Sequence, residues 1–316
     1  MIKKIALVTG GYSGEAVISY KSAVTIQNNL DKEKWEVYTI DIHPQGWFYL
    51  AEDGKKIAVD KNDFSIIIDE TKINFDAVLI GLHGTPGEDG KLQGYLDCLK
   101  IPYTGCDAAV SAITFNKRYT VAVAAFADLS VARSMHLFKN HPVTTDEILA
   151  DIKLPVFVKP NNGGSSIGMS KVKDAADLQP ALKKAFAEDD QVLVEEFIAG
   201  REFTEITEII SKKEFFDYEA KYEGASEEVT PAQVDHGIAE QIREDAKKTY
   251  AIFNCAGVVR IDFIYNETDK LPYLLEINTV PGQSAASIVP QQVVAMGWTL
   301  KDFYSEILEE CFGNNL

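Results

Sequence analysis

Two neighbouring stretches carry the strongest chemistry in the chain, VVRIDFIY at 258–265 and YLLEINTVPG at 273–282. Alternate side chains of a strand share a face. Arg260 and Asp262 therefore lie on one face, with Val259, Ile261 and Phe263 on the other. By the same rule Glu276 and Asn278 share a face, opposite Leu275 and Ile277. The connection NETDKLP is short enough to make the two strands antiparallel neighbours, so Asp262, Glu276 and Asn278 can converge. Two carboxylates and an amide oxygen suit Mg2+, which takes oxygen ligands and shares its remaining positions with phosphates. The plain alternative is a row of polar residues on the wet face of a sheet. The following Thr279-Val280-Pro281-Gly282 weighs against it, because a glycine there lets backbone approach a ligand and offer an N–H to a developing oxyanion.

A second group sits in VFVKPNNGGSSIGMSKV at 156–172. It reads as a buried strand ending at Lys159-Pro160, a loop of Asn, Gly and Ser, and a second strand. The loop lacks the GxxxxGK[ST] order of a P-loop and no helix follows it. Its glycines still let backbone N–H groups close over phosphate oxygens, and its hydroxyls add donors. The competing reading is a flexible hairpin loop. In QVLVEEFI the strand ends at Glu195-Glu196, and Arg201-Glu202 follows a turn at Gly200. Carboxylates flanked by apolar residues suit a purine slot and ribose hydroxyls, although alone they are more often a strand end. HGTPGEDGKLQG at 83–94 puts a His and two acids in a Gly-Pro loop after an apolar run. A lone loop His is ordinarily structural, but this one stands where doubly wound sheets bind ligands.

The elements that position these groups follow from periodicity. Ile5 to Val8 reads as a strand, Gly10-Gly11 as a turn and Ala16 to Leu30 as a helix. Strands at Val37 to Ile42 and Phe75 to Leu82 continue a β-turn-α-β order, which predicts a parallel, doubly wound sheet. Gly10, Gly11 and Gly14 do not make GxGxxG, so a dinucleotide reading is weak. A second unit starts near Pro102–Gly105. It has a helix over Ala108–Phe126, strands at Leu154–Lys159, Met169–Val172 and Gln191–Ile198, and a helix over Ala175–Ala187. Strands at Val258–Tyr265 and Tyr273–Asn278 follow. Leu300, Phe303, Tyr304, Ile307, Leu308 and Cys311 form the core stripe of a last helix over Thr299–Phe312.

Composition limits the partners. The chain has 316 residues, enough for about two domains, with 46% hydrophobic and 25% charged residues. A net charge of −17 argues against nucleic acid and against anionic membrane surfaces, both of which require a basic footprint. No run approaches the length of a membrane span, and MIKKIALVTGG reads as a first strand, not a signal. Cys98, Cys106, Cys255 and Cys311 form no CxxC pair and are expected to be buried thiols in a reducing compartment, the cytoplasm.

Taken together, GGYSGEAVIS, HGTPGEDGKLQG, ITFNKRYT, VKPNNGGSSIGMSKV, VLVEEFIAGREFT, FFDYEAKY, VVRIDF and LLEINTVPGQSAASIVP resemble the D-alanine–D-alanine ligase family of ATP-grasp enzymes. Order and approximate spacing match over nearly the whole chain. The resemblance implies an α/β and α+β fold. An N-terminal doubly wound parallel-sheet domain (1–105) is followed by a central ATP-grasp subdomain (106–198) and a C-terminal ATP-grasp domain (199–316), with ATP between two antiparallel sheets. It implies ATP and two Mg2+ ions, with Mn2+ able to substitute, and a homodimer formed through the N-terminal domain. It also implies phosphorylation of one D-alanine carboxylate by ATP and attack of a second D-alanine on the acyl phosphate, for peptidoglycan precursor synthesis.

Residue by residue, the resemblance gives Lys117 and Lys159 to the phosphates, and Glu195 with the backbone of Phe197 and Ile198 to adenine. Glu202 goes to ribose, and Asp262, Glu276 and Asn278 to magnesium. Lys221 approaches the γ-phosphate, and Arg260 and the Gly282 N–H stabilise the oxyanion. Glu15 takes the ammonium of the first D-alanine, and His83 lies near its carboxylate. Ser165, Tyr222 and Glu15 close the site, while Ser287 and Ile288 contact the second substrate. The polar, glycine-containing stretch from Phe215 to Ala232 suits a covering loop that keeps water from the acyl phosphate.

Three departures stand out. Gln283-Ser284 replaces the family's Met-Thr, and Asn116 replaces Asp before Lys117; both are expected to be tolerated, since neither replaces an assigned residue. Between Thr204 and Glu208 the chain is short of the family pattern by about one hairpin. Either the central sheet is trimmed there or the sequence as written skips a segment, and the second is expected; a true trimming would bear on the ribose and adenine contacts. Three rival readings remain. The first is a ligase of the same fold with D-lactate or D-serine as acceptor, against which Lys221-Tyr222 speaks. The second is a nucleotide-dependent oxidoreductase, against which the missing GxGxxG speaks. The third is a catalytically dead nucleotide-binding protein, against which the intact Lys117, Lys159, Arg260, Asp262, Glu276 and Asn278 speak.

Overall fold

Strand β1 (Lys3–Gly10) leads through a loop into helix α1 (Ala16–Asn29) and then β2 (Trp35–His43), which pairs parallel with β1. Four short strands follow before the third parallel member of the sheet: β3 (Gly46–Leu50), β4 (Lys56–Ala58), the small hairpin β5 (Ile66–Ile68) and β6 (Thr71–Ile73), and then β7 (Ala77–Ile80). The sheet order is β4-β3-β2-β1-β7, with β7 parallel to β1 but β3 and β4 antiparallel. The expected parallel sheet thus holds at its centre and carries an antiparallel edge. That edge escapes periodicity because all five residues of β3 are half-buried, so no alternation marks it.

This computed structural model describes residues 2–51, 53–164, 166–205, 207–211 and 226–313. Ser165, Lys221, Tyr222 and much of the proposed covering loop lie outside the described residues. The chain divides into two units, Met1–Ala112 with Asn254–Arg260 and Asn278–Leu316, and Ile113–Phe253 with Ile261–Ile277.

In the first unit, helix α2 (Lys91–Leu99) follows β7. The two faces of the parallel strands bury different sets. Ile5, Leu7, Ala77 and Leu79 pack with Ile26 of α1 and with Tyr304 and Leu308 of the last helix (Leu300–Gly313). Ala6, Val8, Val78 and Ile80 pack with Leu92 and Leu96 of α2. Helices on both faces make the sheet doubly wound, as expected. The stripe predicted for the last helix is the surface it buries.

The expected single helix over 108–126 is two helices, α3 (Ala108–Phe115) and α4 (Lys117–Phe126). Asn116 breaks it with extended backbone, and its side chain accepts the Tyr119 N–H at 3.2 Å as the cap of α4. The second unit continues through β8 (Ser134–Phe138), α5 (Thr145–Asp151), β9 (Val156–Pro160), β10 (Ser170–Val172), α6 (Leu178–Glu188) and β11 (Gln191–Glu196). These strands form an antiparallel sheet, β10-β9-β11-β8. Val156, Val158, Val192 and Val194 pack against Ile148 of α5 and Leu182 of α6. Phe157, Lys159 and Glu195 point the other way, into a cavity.

The second sheet, β14-β13-β12-β15-β16, is built from β12 (Arg201–Thr204), β13 (Thr207–Ser211), β14 (Ser226–Val229), β15 (Arg260–Asn266) and β16 (Leu271–Asn278). Helix α7 (His236–Ile252) precedes β15, and α8 (Ile288–Ala295) precedes the last helix, α9. β12 and β13 pair antiparallel with Thr204 opposite Thr207. β15 and β16 are hydrogen-bonded neighbours joined by four residues, as the sequence predicts for an antiparallel pair. Of the cysteines, Cys106 and Cys311 are buried but Cys98 is exposed, which corrects the expectation of buried thiols throughout; all four are free.

Candidate active site

A cavity of about 380 Å³ lies in the second unit, lined by both of its sheets. It brings together Lys117, Lys159, Glu195, Phe197, Ile198, Glu202 and Glu276 from the sequence-predicted set. Strand alternation explains the gathering, since β9 and β11 send their valines to the helices and their charged residues to the cavity. Lys159 Nζ meets Glu195 Oε1 at 3.0 Å, with side chains only 8% and 13% exposed. An ion pair this dry is costly to desolvate and therefore marks a site better than it marks stability. Lys171 sits 3.7 Å above the Phe197 ring, which gives the cavity wall a cation stacked on an aromatic face.

The Asn-Gly-Ser loop is tied down at its base. The Asn161 carbonyl accepts the Lys117 N–H at 3.0 Å, and its side-chain oxygen accepts the Arg118 N–H at 2.9 Å. Asn162 donates through its backbone N–H and its amide to Asp189 Oδ2, both at 2.7 Å. The Asn116 amide donates to Asn162 Oδ1 at 3.2 Å. An aspartate at 116 would keep the helix cap but not this donor, so the departure from the family pattern joins α4 to the loop. Lys117 stands at the first helical position, the end of α4 that disfavours a cation and favours an anion, and its Nζ donates to the Gly163 carbonyl at 2.7 Å. Both features suit a phosphate.

Asp262 is 1% exposed, so it is not the wet-face residue of the plain alternative. Glu276 lines the cavity, and Asn278 is the last residue of β16. Among the described residues no three His, Cys, Asp or Glu side chains cluster as a metal site. Asp262 and Glu276, both in the second unit, offer carboxylate oxygens, the donors that suit a cation expecting phosphate oxygens for its remaining ligands; Asn278 falls in the first unit.

Glu15, His83, Arg260, Gly282, Ser287 and Ile288 all fall in the first unit. His83 is buried, and its Nδ1–H donates to the Val280 carbonyl at 2.8 Å. This fixes the tautomer, so Nε2 accepts the Ser22 hydroxyl at 2.9 Å. Ser22 in turn accepts the Gln283 N–H at 3.1 Å. Burial drives the His83 pKa down to about 4; the Val280 bond opposes that fall and Arg260 adds to it. His83 is therefore a neutral strut between its own loop and the Val280–Gln283 turn, with both ring nitrogens engaged by protein. Gly282 needs to be small, since a Cβ there would lie 2.9 Å from Ser287 Oγ. Ser287 starts α8 as its cap residue and Ile288, its first residue, is buried.

Sequence reasoning missed Ser22 and understated Glu88. Ser22 lies mid-helix with no local signal. Glu88 Oε2 accepts the Gly84 N–H at 2.6 Å. Burial pushes its carboxyl well above the ordinary glutamate range. The nearby Glu15 carboxylate adds to that rise, while backbone bonds from Gly84 and Val280, and Arg260, oppose it.

Comparison with known proteins decides the family. Residues 4–106 match the model described as D-ala D-ala ligase N-terminus, and residues 116–309 match D-ala D-ala ligase C-terminus. The chain belongs to the D-alanine–D-alanine ligase family. It is 44% identical over 325 residues to a D-alanine–D-alanine ligase of Phocaeicola vulgatus, covering 99% of this chain and 100% of that protein. It is 42% identical to one of Parabacteroides distasonis over 98% of each. Among solved structures it resembles the VanG D-Ala:D-Ser ligase from Enterococcus faecalis, at TM-score 0.87 and 28% identity, covering 98% of this chain and 100% of that one. The Bacillus anthracis ligase complexed with ATP gives TM-score 0.78 and 26% identity over 98% of each chain. As a ligase-family member the chain has the ATP-grasp fold expected from its motifs, and no helix among the described residues is long and apolar enough to cross a membrane.

Proposed function

We propose that this chain joins two D-alanine molecules into D-alanyl-D-alanine at the expense of ATP, supplying a peptidoglycan precursor. The observation that carries the reading is the single cavity in which Lys117, Lys159, Glu195 and Glu202 converge, in a chain of this family. A carboxylate is a poor electrophile. Attack of one of its oxygens on the γ-phosphorus expels ADP and makes an acyl phosphate. The amine of the second D-alanine then adds to the carbonyl carbon, and the tetrahedral oxyanion collapses with loss of phosphate.

Lys117 and Lys159 hold the phosphate charge, and Glu202 takes the ribose. The Phe197 N–H is already engaged by the Pro155 carbonyl at 3.1 Å, so we assign adenine to the Ile198 N–H and to Glu195. Asp262, Glu276 and Asn278 hold Mg2+, which neutralises phosphate charge when bound. Glu15 receives the first ammonium, and His83 fixes the shape of the pocket around its carboxylate. Arg260 and the Gly282 N–H stabilise the oxyanion. Ser287 and Ile288 meet the second D-alanine, while Ser165, Lys221 and Tyr222 belong to the covering side.

The D-Ala:D-Ser neighbour shares 28% identity, whereas the D-alanine–D-alanine relatives reach 44%, which favours D-alanine as acceptor. Use of ATP supports a cytoplasmic reaction. A homodimer through the first unit is supported by Val17, Tyr20 and Val24, which form an exposed apolar stripe on α1. The test is phosphate release from ATP and Mg2+ with D-alanine, D-serine or D-lactate as acceptor. D-alanine should be required and preferred; preference for another acceptor overturns the substrate assignment.

A further inference from the structure

Two buried carboxyls flank a single glycine in the first unit. Gly84 donates its N–H to Glu88 Oε2 at 2.6 Å, and a Cβ at Gly84 would lie 2.7 Å from Glu15 Oε2. Glu15 is 7% exposed and Glu88 9%. Asp89, the other acid of this loop, is instead paired with Lys91. Among the described residues the charged groups facing Glu88 are Glu15 and Arg260; the His83 ring is neutral, and Gln93 of α2, which donates to the Gly87 carbonyl, brings no charge. Arg260 compensates one carboxylate but not two, and like charges this close and this dry resist joint ionisation.

We propose that Glu88 is a positioning acid of the amino-acid pocket, holding a proton while the pocket is empty and releasing it to solvent when an ammonium group settles at Glu15. The step balances as Glu88–COOH giving Glu88–COO⁻ and a proton, with the incoming ammonium replacing the proton's charge. It rests on the reading that Glu15 receives the first D-alanine. The pocket's own charge thus follows its cargo: one carboxylate when empty, two when filled. The second carboxylate appears only for a cationic ligand, which rewards an amino acid over a hydroxy acid in the first position. As a proton, not a contact, is the currency, binding tightens with rising pH by up to about tenfold per pH unit while Glu88 titrates.

The experiment is calorimetric titration of D-alanine into the full chain with Mg2+ and a non-hydrolysable ATP analogue. It is repeated in buffers of different ionisation enthalpy at several pH values between about 6 and 8. The expected result is proton release on binding and affinity that rises with pH. Glu88→Gln, which mimics the protonated acid in shape, should bind D-alanine without proton release and with a flat pH dependence, its folding checked by its melting temperature. Binding by the unaltered chain with no proton exchange across this range overturns the proposal and leaves the role of Glu15 standing. Absence of D-alanine binding altogether overturns both.

Discussion

Replacing Ser22 by alanine removes one hydroxyl but breaks two contacts. Ser22 is fully buried, and it joins His83 Nε2 at 2.9 Å to the Gln283 N–H at 3.1 Å. The variant leaves a buried acceptor on His83 and a buried donor on Gln283. Each unsatisfied buried polar group costs about 1–3 kcal/mol. With partial relaxation the expected loss is about 2–4 kcal/mol, or roughly 5–15 °C in melting temperature. Gln283 follows Gly282, so freeing its N–H loosens the turn that presents the oxyanion donor. We expect kcat to fall about tenfold or more, because small displacements of positioned groups are costly. The KM for ATP should stay unchanged, since the nucleotide cavity lies in the other unit. Urea unfolding and steady-state kinetics measure both effects. Thr25→Ala is the control: its exposed hydroxyl bonds only the Lys21 carbonyl at 3.3 Å. A Ser22→Ala protein that loses less than about 0.5 kcal/mol and keeps its kcat would refute the strut.

Lys159→Met should weaken ATP binding by about 10–100-fold in calorimetry, the worth of a charged hydrogen bond, and should lower stability by stranding Glu195 in a dry site. Gly84→Ala puts a Cβ 2.5 Å from Ser13 Oγ at a φ of +69°; the KM for D-alanine should rise, with a stability loss of at least about 1 kcal/mol. His83 is charged more readily unfolded than folded, its folded pKa lying near 4 against 6.5. Its contribution to stability is therefore complete above about pH 6.5. It is lost as pH falls toward 4, by about 3 kcal/mol in all. His83→Gln should flatten that part of a urea-derived stability profile, and an unchanged slope would show that His83 is not the group responsible.

What the sequence made legible was local. Alternation along 258–265 and 273–282 marked two strands because they are regular and their connection is short, and it turned Glu276 to the face that lines the cavity. The last helix announced its buried face through spacing alone. What stayed hidden was long-range or weakly patterned. His83 finds its carbonyl partner 197 residues away, and no periodicity encodes such a meeting. β3 is half-buried along its whole length and carries no alternation, and the edge strand β4 is only three residues long. Asn116 was readable in principle as a helix cap, a residue type that favours that position, but the apolar run from Ala108 to Phe126 concealed the break. Glu88 lay in view between Gly87 and Asp89, and what distinguishes it from its neighbour is its partner: Asp89 pairs with Lys91, whereas Glu88 turns inward to the Gly84 N–H.

The central claim is that a D-alanine carboxylate attacks phosphorus. D-alanine labelled with oxygen-18 in its carboxylate tests this directly, with ATP and Mg2+ unlabelled and phosphate and dipeptide both weighed by mass spectrometry. The account predicts one labelled oxygen in every phosphate released, matched by one dipeptide. Phosphate that carries no label, or that forms without dipeptide, would mean that water and not the carboxylate takes the phosphoryl group.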